Sequence, residues 1–339
     1  ALRGLETGRP GFGLDAKDPL EAAELGRESL TNKLRVPNCD RLLAVRAALR
    51  TGWSVEEVFE ATKIDPWFLE NMRELVEFEL QISGAELTPA LLLQAKTLGY
   101  SDPQLAEASG LSALEVSALR DEHGIQPVYQ LVDTCAGEFV AITPYYYSTW
   151  AEDTEVPKGD TPKTMILGGG PNRIGQGIEF DYCCVHAAFA VQETGREAIM
   201  VNSNPETVST DYDTSDHLFF EPLTHEDVVH IVRATEPEGI IVQFGGQTPL
   251  NIAAGLEAAG APIWGTSPEV IDRCEDREHF IALLEELEVL QRKIARFVTG
   301  VSTRISNVAL LAEVGWRPLR DRHTEQSLRL LSKTHSLPG

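Results

Sequence analysis

Residues 164–177 read TMILGGGPNRIGQG, a short apolar run followed by a turn that contains five glycines. A helical pattern then runs from Phe180 to Thr194, and Gly195 ends it. The segment predicts a strand, a glycine-rich turn and a helix, an arrangement in which free backbone N–H groups and the helix dipole attract anions. The turn residues that we expect to serve an anion are Gly168, Gly169, Gly170, Asn172, Arg173, Gly175 and Gly177.

This turn matches neither of two familiar phosphate-binding patterns. The Walker spacing is present in Gly170–Gly175, but the Lys and Ser/Thr that should follow it are absent. The dinucleotide pattern breaks at Arg173, and the next strand ends at Asn202 with no carboxylate to hold a ribose. Two interpretations therefore stay open, an anion-binding turn and a glycine turn that is only structural.

Strand and helix patterns alternate through the rest of this half of the chain. Apolar strand patterns occur at 198–201, 218–220, 239–242 and 262–264, and helical patterns start near Thr224, Pro249 and Ser267. This alternation predicts a doubly wound parallel sheet with helices on both faces. The polar segments 202–207, 210–216 and 243–248 would then meet at the carboxyl edge of the sheet, where ligands bind. Alternatively, their Asp and Asn residues are simply turn formers.

The upstream half has the start and stop signals of helices. Capping boxes occur at Ser54–Glu57 and Ser112–Glu115, and the pairs Asp65–Pro66 and Thr88–Pro89 are typical of helix starts. We predict an all-helical domain, with the aromatic pair at 67–68 in its core. Residues 125–163 read as irregular, although the three tyrosines at 145–147 are either a packed strand or a wrapping segment.

Composition narrows the class of protein. The net charge of -23 disfavours nucleic acids and anionic membranes as partners, and no apolar run approaches the ~18 residues of a membrane helix. Five cysteines without C-x-x-C spacing favour a reducing cytoplasm, and Cys183 and Cys184 are expected to be packed in a helix. Residues 288–339 carry a net charge of +5 against -28 for the rest, which indicates a divergent or frameshifted tail over 290–339.

Three motifs resemble one family closely. They are LGGGPNRIGQGIEFDY at 167–182, NSNPETVSTDYD at 202–213 and GGQTP at 245–249, and they resemble the second half of the large chain of carbamoyl-phosphate synthases. The resemblance implies a remnant of the first ATP-grasp unit at 1–20, a helical oligomerisation domain at 21–150 and a linker at 151–163. It also implies a Rossmann-like pre-ATP-grasp domain at 164–289.

The family is a ligase that makes carbamoyl phosphate from bicarbonate, glutamine-derived ammonia and ATP, for arginine and pyrimidine biosynthesis. The resemblance implies that Glu179 and Glu206 line a tunnel for carbamate. It implies that Arg277 contacts ATP, although Arg277 also reads as an exposed helix residue in a charged stretch. It implies ATP and Mg in the parent enzyme. The implied partners are the remaining large-chain domains, a glutaminase small chain and a second copy of the helical domain.

The family pattern stops after about Glu288, and the strands and Mg ligands of the second ATP-grasp domain do not follow. We therefore expect the isolated chain to be inactive, with no catalytic or metal-binding residue of its own and no tightly bound cofactor. Two other hypotheses remain, a stand-alone anion- or nucleotide-binding module and a purely structural oligomerisation piece.

Overall fold

The computed structural model describes residues 2–5, 7–15, 26–173 and 177–299. The chain divides into two compact units, residues 1–265 and residues 266–339. The first unit contains a helical part and a sheet, and the described part of the second unit consists of helices.

The helical part confirms the predicted helix starts. Ser54 and Ser112 form complete capping boxes with Glu57 and Glu115, and the side chains of Asp65 and Thr88 accept backbone N–H groups at the start of their helices. A further capping box, Ser101 with Gln104, was not anticipated. The helices are α1 Arg27–Arg35, α2 Arg41–Arg50, α3 Val55–Thr62, α4 Pro66–Ile82, α5 Pro89–Thr97, α6 Asp102–Ser109 and α7 Ala113–Glu122.

The α/β part confirms the predicted alternation of strands and helices. Its elements are β1 Val128–Leu131, β2 Tyr145–Thr149, β3 Lys163–Leu167, α8 Glu179–Glu193, β4 Glu197–Val201, β5 His217–Phe219, α9 His225–Thr235, β6 Gly239–Ile241, α10 Gln247–Ala258 and β7 Ile263–Trp264. The strand order is β1-β2-β5-β4-β3-β6-β7, and every pair is parallel except β1 with β2. The order reverses between β3 and β6, so this is the point where ligands bind in doubly wound sheets.

Helices cover both faces of the sheet. On one face, α8 packs Cys184 and Ala188 against Ile166 of β3 and Met200 of β4. On the other face, α9 and α10 bury Ile231 and Leu256 with their neighbours against the same strands. All five residues of β3 are buried, as expected for a central strand covered on both sides.

The prediction of irregular structure from 125 to 163 is wrong for residues 128–131, and of the two alternatives for the tyrosines at 145–147 the packed strand is correct. β1 and β2 both belong to the sheet, and Tyr146 of β2 pairs with Phe219 of β5. Tyr129 of β1 packs edge-on against Phe219, with ring centroids 5.1 Å apart. The three tyrosines therefore form a strand. Both strands are short and neither alternates cleanly, so their pairing, of β2 with β5 and of β1 with β2, rather than their own pattern selects the extended conformation.

Two burial predictions also fail. Trp67 and Phe68 are 66% and 54% exposed, because they lie in the first turn of α4 on the side away from the helical core. Cys184 is buried as expected, but its neighbour Cys183 is exposed, since adjacent helical positions point in different directions.

The described part of the second unit contains α11 Pro268–Glu275 and α12 Arg277–Thr299. Asp276 stabilises the start of α12 because one of its carboxylate oxygens accepts the N–H groups of Glu278 and His279, both at 2.9 Å. Of the predicted divergent tail, residues 290–299 continue α12, and the remainder lies outside the described residues. No helix in the described ranges is long and apolar enough to cross a membrane.

Candidate functional site at the carboxyl edge of the sheet

The glycine-rich turn begins as a continuation of β3. The N–H of Gly168 donates to the carbonyl of Val201 at 2.8 Å, and Gly170 then reverses the chain with φ of 70°. A Cβ on Gly168 would lie 2.6 Å from Nδ2 of Asn202, so only glycine fits this position without displacing that side chain. The predicted turn residues Asn172 and Arg173 are exposed, whereas Gly175 lies outside the described residues.

Asn202 joins the turn to the loop that follows β4. This side chain is only 1% exposed, and its Oδ1 accepts the N–H of Gly170 at 3.1 Å and that of Asn204 at 3.2 Å. Its Nδ2 donates to Oγ of Ser209 at 3.3 Å. Sequence reasoning placed Asn202 in a polar loop but did not identify it as a site residue. Its position directly after an apolar strand was the available signal.

The loop after β6 also contacts the glycine-rich turn. A Cβ on Gly245 would overlap the carbonyl oxygen of Gly168, so the two glycine loops touch backbone to backbone. The guanidinium of Arg173 donates to Oγ1 of Thr248 at 2.9 Å, which links the turn to the start of α10. Two of the three polar segments predicted to meet at this edge do so, because hydrogen bonds and a close backbone contact join 202–207 and 243–248 to the glycine-rich turn. The prediction is wrong for 210–216, which leads into β5: the N–H of Asp216 donates to the carbonyl of Ala198 near the start of β4, at the opposite edge of the sheet.

The start of α8 holds two carboxylates with different roles. Asp181 accepts the N–H of Ser209 at 2.9 Å, and its second oxygen is buried without a hydrogen-bond partner among the described residues. The carboxylate of Glu179 folds over Gly177, where it occupies the space that a side chain at that glycine would need. Asp181 therefore fixes the helix to the neighbouring loop, while Glu179 lies exposed beside the turn.

A cavity of about 570 Å³ lies beside these loops. Asn172 and Glu206 line it, and so do Ser203, Phe220 and Glu221. No Lys or Arg is among its lining residues within the described part of the chain. The cavity can therefore accept hydrogen bonds from a neutral or cationic polar ligand, and a dianionic phosphate would meet only negative charge there.

Glu221 is a buried carboxylate that the sequence-based prediction missed. It is 6% exposed, and one of its oxygens accepts the N–H of Ser148 at the end of β2. Burial, reinforced by the charge of Asp227, raises the pKa of Glu221 to about 7. The carboxyl can therefore change its protonation state near neutral pH. The signal for it was a single acidic residue directly after the apolar run 218–220.

The remaining predicted site residues, Glu206 and Arg277, belong to different units of the chain. Glu206 is exposed in the loop after β4, where its N–H donates to Oδ1 of Asn204 at 3.0 Å. Arg277 is the exposed first residue of α12 in the second unit. No group of three or more His, Cys, Asp or Glu side chains suited to a metal ion occurs in the described ranges.

Comparisons with known proteins give one consistent picture. Residues 160–273 match the carbamoyl phosphate synthase preATP-grasp domain, and residues 1–124 match the oligomerisation domain of the carbamoyl-phosphate synthetase large chain. The carbamoyl phosphate synthase large chains of Archaeoglobus fulgidus and Rhodopirellula baltica are each 55% identical, over 298 and 297 residues, and that of Nostoc sp. is 52% identical over 320. These alignments cover 86% of this chain but only 27% to 29% of the relatives.

Proposed function

Since this chain belongs to the carbamoyl-phosphate synthase large-chain family, we propose that it is the oligomerisation and pre-ATP-grasp part of a carbamoyl-phosphate synthase. The whole enzyme would be a ligase that uses ATP to make carbamoyl phosphate from bicarbonate and glutamine-derived ammonia. The observation that carries this proposal is the carboxyl edge of the sheet, where the glycine-rich turn and the loops after β4 and β6 meet at the switch point beside a cavity that contains Glu206.

Within that enzyme, Glu179 and Glu206 would line the passage for carbamate. Both carboxylates are exposed at the carboxyl edge, and the cavity around Glu206 has only acidic and neutral lining residues. Carboxylates accept hydrogen bonds from the N–H and O–H groups of neutral carbamic acid. Their negative charge repels the carbamate anion, so the passage would favour the neutral acid. The glycine-rich turn would form the wall of this passage and position Asn172 in it.

ATP and Mg would be held mainly by the ATP-grasp domains of the whole enzyme, with Arg277 as a contact to the nucleotide. An exposed guanidinium at the start of a helix can reach a phosphate as a bidentate donor. Phosphoryl transfer depends on metal ions and positioned cations, so we expect the isolated chain to bind ATP no better than about millimolar and to be inactive.

The partners would be the other domains of the large chain, a glutaminase small chain and a second copy of the helical part, in the cytoplasm. The exposed pair Trp67 and Phe68 on α4 is one apolar surface available for self-association. Sedimentation that shows a monomer at every concentration would count against that surface. The products would supply arginine and pyrimidine biosynthesis.

The test uses a chimaera in which residues 1–273 replace the equivalent segment of the Archaeoglobus fulgidus large chain, supplied with ammonia. We expect the chimaera to make carbamoyl phosphate. In the chimaera, Glu206→Gln should lower the amount of carbamoyl phosphate formed per ATP hydrolysed, while bicarbonate-dependent ATP hydrolysis continues. Glu257→Gln, an exposed residue of α10, is the matched control and should leave the yield unchanged. An inactive but folded chimaera would contradict the proposal, and so would equal yields from both variants.

A further inference from the structure

A second cavity, of about 440 Å³, lies within the first unit between its helical part and its sheet. It is separate from the carboxyl edge, and its walls come from distant parts of the chain. Lys96 belongs to α5, Tyr129 to β1 and His230 to α9, while Trp150 follows β2 and Arg3 lies in a short turn near the N-terminus. Such a meeting of polar and aromatic side chains is typical of small-molecule sites.

Two buried polar side chains in this wall have no partner for their functional groups. His230 is 6% exposed, and its ring makes no hydrogen bond within the described ranges. Tyr129 is 1% exposed; its backbone is bonded to residues 154 and 155, but its hydroxyl has no partner in the described part of the chain. Neither polar group is among the fully buried, unpartnered atoms of the described residues, so both are reachable from the cavity and are available to a ligand in it.

The carboxylates around the cavity are already occupied. One oxygen of Glu226 accepts the ammonium of Lys96 and the other accepts the N–H of Asp102 at 2.7 Å. Asp227 accepts the hydroxyl of Thr224 at 2.6 Å. Three of the four carboxylate oxygens in the wall therefore already accept hydrogen bonds, and the fourth, Oδ1 of Asp227, faces the guanidinium of Arg3 at 3.8 Å.

Of the two cations in the wall, Lys96 is paired with Asp102 and Glu226, whereas Arg3 is less completely matched. The guanidinium of Arg3 lies 3.8 Å from Asp227, which is longer than a hydrogen bond, and its Nη1 has no hydrogen-bond partner among the described residues. The ammonium of Lys96 lies 5.6 Å from the ring centre of Trp150, so one side of the cavity is both aromatic and positively charged. An anion with a flat body would satisfy the donors and cover this ring at the same time.

The imidazole of His230 keeps its donor role across the physiological range. Burial, together with the charges of Arg120 and Lys96, lowers the pKa of His230 to about 3. The ring is then neutral at pH 6 to 8 and presents one N–H donor and one acceptor.

We propose that this cavity binds a small organic carboxylate or phosphate whose oxygens accept hydrogen bonds from Tyr129, His230 and Arg3 and whose flat body packs on Trp150. The site is distinct from the function proposed above, because none of its residues lines the carboxyl-edge cavity and none is assigned to the passage for carbamate. Its ligand would bridge the helical part and the sheet, so binding would stabilise their association.

The test is calorimetric titration of the 339-residue chain with benzoate, inorganic phosphate and benzamide, each up to about 20 mM, which covers millimolar affinities. We expect saturable binding of benzoate, weaker binding of phosphate because it lacks the flat body, and no saturable binding of the neutral benzamide. Absence of binding by benzoate, or equal binding of benzamide, would overturn the proposal. Phosphate that binds as tightly as benzoate would overturn the role of Trp150.

The variant Tyr129→Phe removes only the hydroxyl and should weaken benzoate binding about tenfold, as expected for one hydrogen bond to a charged group. Tyr147→Phe is the matched control, because Tyr147 lies on β2, is 40% exposed and donates to Gln130 instead of lining the cavity. Arg3→Gln is a second variant that should also weaken benzoate binding. It tests the site independently if Tyr129→Phe does not fold. Unchanged benzoate affinity in folded Tyr129→Phe and Arg3→Gln would refute the site.

Discussion

The substitution Glu221→Gln should make the protein more stable at high pH and change it little at low pH. Burial, followed by the charge of Asp227, raises the pKa of Glu221 from 4.5 to about 7. The native state therefore holds its proton more tightly than the unfolded chain does. Stability is lost as the pH rises from about 4.5 to 7, because the folded protein must then ionise a carboxyl that burial disfavours.

The magnitude follows from the size of the shift. A difference of about 2.5 pKa units corresponds to about 3 kcal/mol, most of which accumulates between about pH 5 and pH 8. The glutamine amide keeps an oxygen that can accept the N–H of Ser148, so the substitution removes the charge and preserves the hydrogen bond. We therefore expect the variant to exceed the wild type in stability by about 2 to 3 kcal/mol at about pH 8.

Urea denaturation of the wild type and the variant at about pH 5 and about pH 8 measures this difference. Glu206→Gln is the matched control, since Glu206 lines the same cavity but is exposed, and its effect should be within about 0.5 kcal/mol at both pH values. A stability difference between Glu221→Gln and the wild type that is the same at both pH values would refute the reasoning, because it would show that Glu221 has similar proton affinity in both states.

Two further predictions concern close packing and buried charge. Gly168→Ala should destabilise the protein by about 1 to 3 kcal/mol because its methyl group would collide with Asn202, whereas Gly159→Ala, which has open space around it, should change thermal unfolding little. Asp102→Asn should cost about 3 to 5 kcal/mol in urea denaturation because it leaves the buried Arg120 without its carboxylate and Lys96 with Glu226 alone, while Asp121→Asn, in an exposed ion pair, should cost under about 1 kcal/mol. Equal losses within either pair would contradict these assignments.

Local signals in the sequence were sufficient to predict the helices, the central strands and the placement of helices on both faces of the sheet. A capping box such as Ser54 with Glu57 satisfies backbone groups within four residues, so it acts without tertiary help. The glycines after β3 were recognisable for a similar reason, because a turn that reverses the chain at Gly170 demands a positive φ. The convergence of the glycine-rich turn with the loops after β4 and β6 also followed, since the carboxyl ends of parallel strands must share one edge, whereas segment 210–216 precedes a strand and therefore ends at the other edge.

Only the tertiary structure decided which polar groups are buried and what each one contacts. β2 became a strand because β5 offered it an edge, and β1 then paired with β2. Trp67 became exposed because the helical core lies on the opposite side of α4. Glu221 and His230 have unremarkable neighbours in sequence, and their environments are made by residues far along the chain. Desolvation and charge depend on the three-dimensional surroundings rather than on neighbours in sequence, so the protonation of these two groups could not be predicted before the fold was known.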